Sequence, residues 1–159
     1  MSMLQIISNS PLETEELGFQ LGSLLKAGAF IALQGALGGG KTCFIRGLVA
    51  AVAPQSSHLV ASPTFAIMNS YKGDIPVYHF DFYRLNGDSD IAELGFDDYF
   101  NGDAVCVIEW SERLCELLPD DYITVLFELS GENCRSVSLT TFGPISQNIL
   151  EQLAKLHAS

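Results

Sequence analysis

Apolar and polar residues change their spacing along this chain in a way that divides it into short strands and helices. Leu4 to Ile7 is an apolar run of strand length. Ser10-Pro11-Leu12-Glu13 then carries three helix-start signals together: a capping serine, a proline at the first helical position and a glutamate three residues after the cap. Leu17, Leu21, Leu24 and Leu25 follow at helical spacing, which predicts a helix of about 15 residues with one buried face and a stop at Gly28. Phe30 to Leu33 predicts a second strand. The stretch from Lys41 to Ala53 is apolar almost all round, with Arg46 its only further charge, and predicts a buried helix that Pro54 ends.

Further on, a loop is expected from Gln55 to Ala61, and Phe65 to Tyr71 and Ile75 to Tyr83 flank Lys72-Gly73-Asp74 like the arms of a hairpin. Ile91 to Phe100 has the pattern of a short helix. Ala104 to Ile108 is continuously apolar, as a strand covered on both faces of a parallel sheet must be, and Ser111 to Leu118 predicts a returning helix. Ile123, Val125, Phe127 and Leu129 alternate, as do Val137, Leu139 and Thr141, so that Ser130 to Asn133 turns a second hairpin. Ile145, Ile149, Leu153 and Leu156 mark a terminal amphipathic helix. One α/β domain over residues 1–159, with a mixed, largely parallel sheet flanked by helices, accommodates all of these elements.

The first strand-to-helix junction that these patterns define holds GALGGGKT, residues 35–42. It meets the phosphate-loop pattern GxxxxGK(S/T) at Gly35, Gly40, Lys41 and Thr42, with Gly38 and Gly39 as further glycines. Only a loop nearly free of side chains lets successive backbone N–H groups, here of Ala36, Leu37 and the glycines through to Cys43, close around phosphate oxygens. Lys41 then reaches the terminal phosphates and Thr42 offers its hydroxyl to Mg²⁺. Lys41, as a loop charge, is expected outside the apolar core. Strand, glycine loop and apolar helix in succession predict a P-loop NTPase-like fold that binds a nucleotide with Mg²⁺.

Composition narrows the class. A chain of 159 residues that is 48% hydrophobic and 17% charged has the makings of one globular core. Its four cysteines, 43, 106, 115 and 134, form no CxxC pair and read as reduced thiols in or near the core. No apolar window is long enough to span a bilayer and the amino terminus lacks a basic-then-apolar leader pattern, so a cytoplasmic protein is expected. The net charge of −11, from 8 basic and 19 acidic residues, argues against independent binding to a nucleic-acid backbone and suits a basic protein partner.

Three other stretches carry candidate chemistry. In Val77-Tyr-His-Phe-Asp-Phe-Tyr-Arg84 the two-residue strand period places His79 and Asp81 on one face and Tyr78, Phe80 and Phe82 on the other; an ordinary, half-exposed polar face is the plainer alternative. Val105-Cys-Val-Ile-Glu-Trp110 is an apolar strand ending in a carboxylate, the position for an acidic Mg²⁺ partner, with Asp81 as competitor and helix capping as the plainer role of Glu109. Trp110 suits core packing, an adenine platform or a partner contact. Ser62-Pro63-Thr64-Phe65 reads either as a local turn or as a loop whose Thr64 senses the terminal phosphate.

GALGGGKT, SPTF, HFDFYR and IEW, in this order and spacing, resemble the bacterial ATPase family of tRNA threonylcarbamoyladenosine biosynthesis, TsaE or YjeE, over residues 5–140. The resemblance implies a compact α/β ATPase acting with two partner proteins, TsaD and TsaB, that install threonylcarbamoyl on adenosine 37 of tRNAs reading ANN codons. It implies Lys41 as the phosphate lysine, Thr42 and Glu109 as Mg²⁺ ligands, and Asp81 as a catalytic carboxylate. Ser62, Pro63 and Thr64 would form a switch-like loop, with Trp110 a functionally sensitive aromatic. The chain departs from the family pattern at Ala36, where an acidic residue is usual, and at Cys43, where threonine is usual. Neither departure removes a residue that phosphate binding requires. A small-molecule kinase would call for an arginine-rich lid, whereas Arg46, Arg84, Arg113 and Arg135 are scattered, and a GTP switch would call for an NKxD motif that the chain lacks. A nucleotide-dependent binding module without hydrolysis shares every motif and is the remaining alternative.

Overall fold

The computed structural model describes residues 2–35, 40–61, 63, 67–100, 102–114 and 116–158. Among the described residues, seven strands form one sheet in the order β1-β7-β6-β2-β5-β4-β3. They are β1 (Met3–Ser8), β2 (Phe30–Gly35), β3 (Met68–Tyr71), β4 (Val77–Asp81), β5 (Val105–Glu109), β6 (Tyr122–Leu129) and β7 (Arg135–Phe142). The centre, β6-β2-β5-β4, is parallel, and the antiparallel joints lie outside it: β7 on β6, β1 on β7 and β3 on β4. The helices are α1 (Pro11–Leu24), α2 (Lys41–Val52), α3 (Asp88–Glu93) and α4 (Pro144–Ala158).

Strand alternation sends side chains to two cores. On one face Ile31 and Leu33, Val105 and Val107, Ile123, Val125 and Phe127 meet Leu17 and Leu21 of α1, Phe44, Ile45 and Leu48 of α2, and Ile149 and Leu153 of α4. On the other, Phe30, Ala32, Phe80, Phe82, Cys106 and Ile108 pack with Ile91, Phe100 and Leu114. Edge-on ring contacts bind that second core, Phe30 to Phe100 at 5.0 Å and Phe80 to Phe96 at 5.6 Å between centroids.

Most of the expected elements form. Ser10 caps α1 by accepting the N–H of Glu13, and Pro11 opens the helix. α1 ends at Leu24 rather than at Gly28, because Gly28 instead takes φ +96° and donates its N–H to the Ala104 carbonyl. Four differences have physical reasons. The expected loop after Pro54 is wound into a 3₁₀ turn, Pro54–Leu59, fastened by the Ser56 hydroxyl on the Lys72 carbonyl. The helix expected from Ile91 is two short pieces, α3 and a 3₁₀ turn at Phe96–Tyr99, separated by Gly95 in the left-handed region. The helix expected over 111–118 is a single 3₁₀ turn, Ser111–Arg113, after which Leu114 turns extended and buries itself in the second core. In α4, Ile149 and Leu153 are buried but Ile145 and Leu156 stay exposed.

What fixes α2 on the sheet is its crossing with α1. An ideal Cβ on Gly18 would lie 2.0 Å from the Phe44 carbonyl oxygen, and one on Gly47 would lie 1.8 Å from that of Glu15. The two backbones touch where only hydrogen fits. Gly47→Ala should therefore push the helices apart and lower unfolding stability by about 3 kcal/mol, the upper end of overpacking costs. The check is a lower urea midpoint at unchanged slope; an unchanged midpoint would show that the crossing yields freely.

Candidate functional site

The parallel centre of the sheet ends where α2 begins. β2 carries the chain to Gly35, whose φ of +135° and whose neighbour, the Phe127 carbonyl oxygen 2.5 Å from an added Cβ, admit only glycine. Ala36, Leu37, Gly38 and Gly39 lie outside the described residues. Gly40 re-enters in the left-handed conformation, φ +98°, as the N-cap of α2 with no side-chain cap. The first N–H groups of a twelve-residue helix are thus left for an anion rather than spent on a capping side chain.

Lys41 is more buried than a loop charge was expected to be, at 6% exposure. It does not sit in hydrocarbon. Its Nζ donates to the Gly35 carbonyl at 3.0 Å and lies 5.2 Å from the centre of the Trp110 ring. Trp110 itself adopts φ +58°, and its ring also meets Tyr83 at 4.9 Å.

The two candidate carboxylates come together by register. Asp81 and Glu109 are Cα partners at the ends of the parallel strands β4 and β5. Glu109 continues the face of Val105 and Val107, and Asp81 that of Val77 and His79, so both point toward the layer that holds α2. Both are buried, at 7% and 5% exposure, where a half-exposed polar face was the plainer expectation for the strand of Asp81. The Asp81 carboxylate accepts the N–H of Tyr83 at 3.1 Å. His79, fully buried, pairs across to Glu109 rather than along its own strand to Asp81: Nε2 and the Glu109 carboxylate are 2.6 Å apart. Its Nδ1 meets the Tyr71 hydroxyl at 3.2 Å.

Glu109 lines a cavity of about 370 Å³ together with Gly40, Lys41, Thr42 and Cys43. Its other wall was not anticipated: Ser10, Pro11 and Thr14 of α1 and Asn133 and Arg135 of the β6–β7 hairpin. These come from segments far apart in sequence and carry no motif. Ser62 and Thr64, with Phe65, lie outside the described residues. Pro63 is described, and its carbonyl accepts the N–H of Ile67, while the Ile67 carbonyl accepts that of Asp81.

These residues fit a magnesium nucleotide. Two buried carboxylates and a threonine hydroxyl are hard oxygen donors, and Mg²⁺ is bound by one or two carboxylates plus substrate phosphates rather than by an all-protein cage. Among the described residues, no group of three or more His, Cys, Asp and Glu forms such a cage.

The fold and this arrangement define a mixed-sheet α/β domain with a glycine loop between its central strand and a buried helix. The chain belongs to the TsaE family: residues 8–137 match the family model described as threonylcarbamoyl adenosine biosynthesis protein TsaE. It is 32% identical to the Bacillus subtilis protein named tRNA threonylcarbamoyladenosine biosynthesis protein TsaE over 98% of this chain and 96% of the relative. It is 35% identical to the protein of that name from Treponema pallidum, over 86% and 99% of the two chains. The crystal structure of Bacillus subtilis YdiB superposes with a TM-score of 0.81 at 28% identity, covering 99% of this chain and 97% of that one. Among the described residues no helix is long and apolar enough to cross a membrane.

The cysteines differ in their surroundings. Burial pushes the Cys106 thiol up to about 12, whereas Cys43 and Cys134 are half-buried. Because the thiolate is the reacting species, a charged thiol reagent at pH 8 should label Cys43 and Cys134 and spare Cys106 until denaturant is added. Peptide mapping reads this out, and native labelling of Cys106 would contradict its placement.

Proposed function

We propose that this chain is the ATP-binding and ATP-hydrolysing accessory protein of tRNA threonylcarbamoyladenosine biosynthesis, acting with the two proteins, TsaD and TsaB, that transfer threonylcarbamoyl to position 37. The observation that carries the reading is the cavity shared by Lys41, at an uncapped helix start, and Glu109, with Asp81 paired beside Glu109 on the adjacent parallel strand. Gly35, Ala36, Leu37, Gly38, Gly39, Gly40, Lys41, Thr42 and Cys43 would hold the phosphates, and Thr14, Asn133 and Arg135, across the same cavity, would be left for the nucleoside end. Its volume of about 370 Å³ is in the range of small-ligand sites.

Each residue has a task set by its place. Lys41 exchanges the Gly35 carbonyl for phosphate oxygens, a stronger, charge-assisted bond. Thr42 and Glu109 would hold Mg²⁺, which would supply neutralisation of the charge developing on the transferred phosphoryl. Asp81, beside Glu109 and bonded through its backbone to Ile67, would act on the attacking water or on the switch-like loop. The chain's name-giving chemistry is on tRNA, yet 19 acidic against 8 basic residues leave little attraction for a phosphate backbone. It reaches tRNA through its protein partners.

Glu109→Gln should weaken Mg²⁺-dependent nucleotide binding, and Asp81→Asn should keep binding and lower single-turnover hydrolysis by on the order of 10²-fold. Calorimetric titration with and without Mg²⁺, beside single-turnover rates, separates the two; the reverse pattern would exchange their roles. The function itself is tested by multiple-turnover phosphate release from the purified protein alone and with TsaD and TsaB, with Lys41→Ala as a folded control that loses affinity and hydrolysis. The expected result is slow release that the partners accelerate, with negligible tRNA binding by the protein alone at physiological salt. Nucleotide binding without turnover under every condition would favour the binding module.

A further inference from the structure

A fully buried histidine on the apolar face of a sheet is costly unless every polar atom is used, and an apolar replacement of the same shape is often neutral or stabilising. His79 occupies such a place at 0% exposure, between Tyr71 at 2% and Glu109 at 5%. Its hydrogen bonds form a continuous line. A carboxylate only accepts, so at 2.6 Å from Glu109 the Nε2 atom carries a proton and donates it. The Tyr71 hydroxyl is hydrogen-bonded to Nδ1 at 3.2 Å and lies at the same distance from the Ala61 carbonyl, the alternative acceptor of its proton. Its oxygen then accepts the Ala61 N–H at 3.3 Å, and the Ala61 carbonyl takes the side-chain amide of Asn69 at 3.0 Å. Every polar atom of the line has a partner. The opposite tautomer would set a bare Nε2 lone pair against carboxylate oxygen.

The two ends of this line are not equivalent. One is Glu109, which faces the cavity beside Lys41 and Thr42; the other is the backbone of Ala61, next to Ser62. Resting on the reading that Glu109 holds Mg²⁺, we infer that Tyr71 and His79 are positioning residues: their buried hydrogen-bond line fixes the Glu109 carboxylate for the metal and ties its orientation to the backbone of Ala61. Outer partners of metal-holding groups act this way through orientation and basicity, and their loss costs 10- to 100-fold in metal affinity or activity. Asp81 has no part in the line. Its tie to the same region runs separately, from its own N–H to the Ile67 carbonyl.

Tyr71→Phe keeps the ring and removes only the hydroxyl, so it tests the line without emptying the core. The Mg²⁺ concentration needed for half-maximal ATP binding should rise by about 10-fold, while affinity for metal-free ATP stays at the wild-type value. His79→Gln, whose amide can still donate to Glu109, should lose less than His79→Leu. Long-range ¹H–¹⁵N correlation of the imidazole supplies a readout free of nucleotide: wild-type His79 should carry a proton on Nε2, and Tyr71→Phe should move the Nδ1 resonance. Should His79→Leu fail to fold, Tyr71→Phe and the spectrum still decide. An Nδ1–H tautomer in the wild type, or variants that keep the wild-type Mg²⁺ requirement while the wild type binds Mg²⁺ and ATP, overturns this inference alone. A wild-type protein that binds no nucleotide overturns the proposed function and this inference with it.

Discussion

The structure depends on holding ionisable groups out of water where its central parallel strands end. Lys41, Asp81 and Glu109 are each at or below 7% exposure. Removing a charge from water costs several kcal/mol even after relaxation, against a gain of about 2 kcal/mol for burying one large apolar side chain. No single core contact offsets that, so each charge must be placed where fixed dipoles meet it. The Lys41 ammonium has the Gly35 carbonyl and the face of Trp110. The Glu109 carboxylate has the Nε2–H of His79, and that of Asp81 has the N–H of Tyr83.

Ordinary strand geometry makes this possible at little further cost. Parallel pairing sets Asp81 directly beside Glu109, and the two-residue period turns both to the side on which α2 packs. α2 is in turn held by hydrocarbon, Phe44, Ile45 and Leu48 below it, and by the glycine contacts with α1 at Gly18 and Gly47. Apolar packing, which is not directional, thereby fixes the position of the polar groups at the helix start, which is. The second core has the complementary role, backing β4 and β5 with Phe80, Phe82, Cys106 and Ile108 so that those strands have no wet face along which to slide.

Much of this was legible in the residues, and the failures share a cause. Local signals were sufficient where the deciding contacts are local: the Ser10 cap, the apolar runs of β2 and β5, the glycines at 35 and 40, and the alternation of β6 and β7. They failed where the partner is distant. A two-residue period puts His79 with Asp81, but its hydrogen bond goes to a strand thirty residues on, which only the β4–β5 register reveals. Tyr71 gave no signal because an antiparallel neighbour, β3, brings it there. The stretch 111–118 has helical spacing, yet Leu114 gains more by entering the second core than by continuing a turn. The cavity wall of Thr14, Asn133 and Arg135 joins two ends of the chain and had no pattern to read.

Backbone strain marks the same edge. Among the described residues only two that are not glycine have positive φ, Ile67 at +69° and Trp110 at +58°. Left-handed backbone costs an L-residue roughly 1–2 kcal/mol, and a β-branched isoleucine has the less tolerant side chain. Both flank the carboxylates: Trp110 directly follows Glu109, and Ile67 accepts the N–H of Asp81 and donates to Pro63. The left-handed turn at Trp110 ends β5 immediately after its carboxylate and accompanies the placement of the indole near the Lys41 ammonium. A glycine there would relieve the strain and forfeit the ring, so the conformation is maintained by what its side chain contacts. Strain held in place by surrounding packing collects at functional sites, and both strained residues here lie beside the two buried carboxylates.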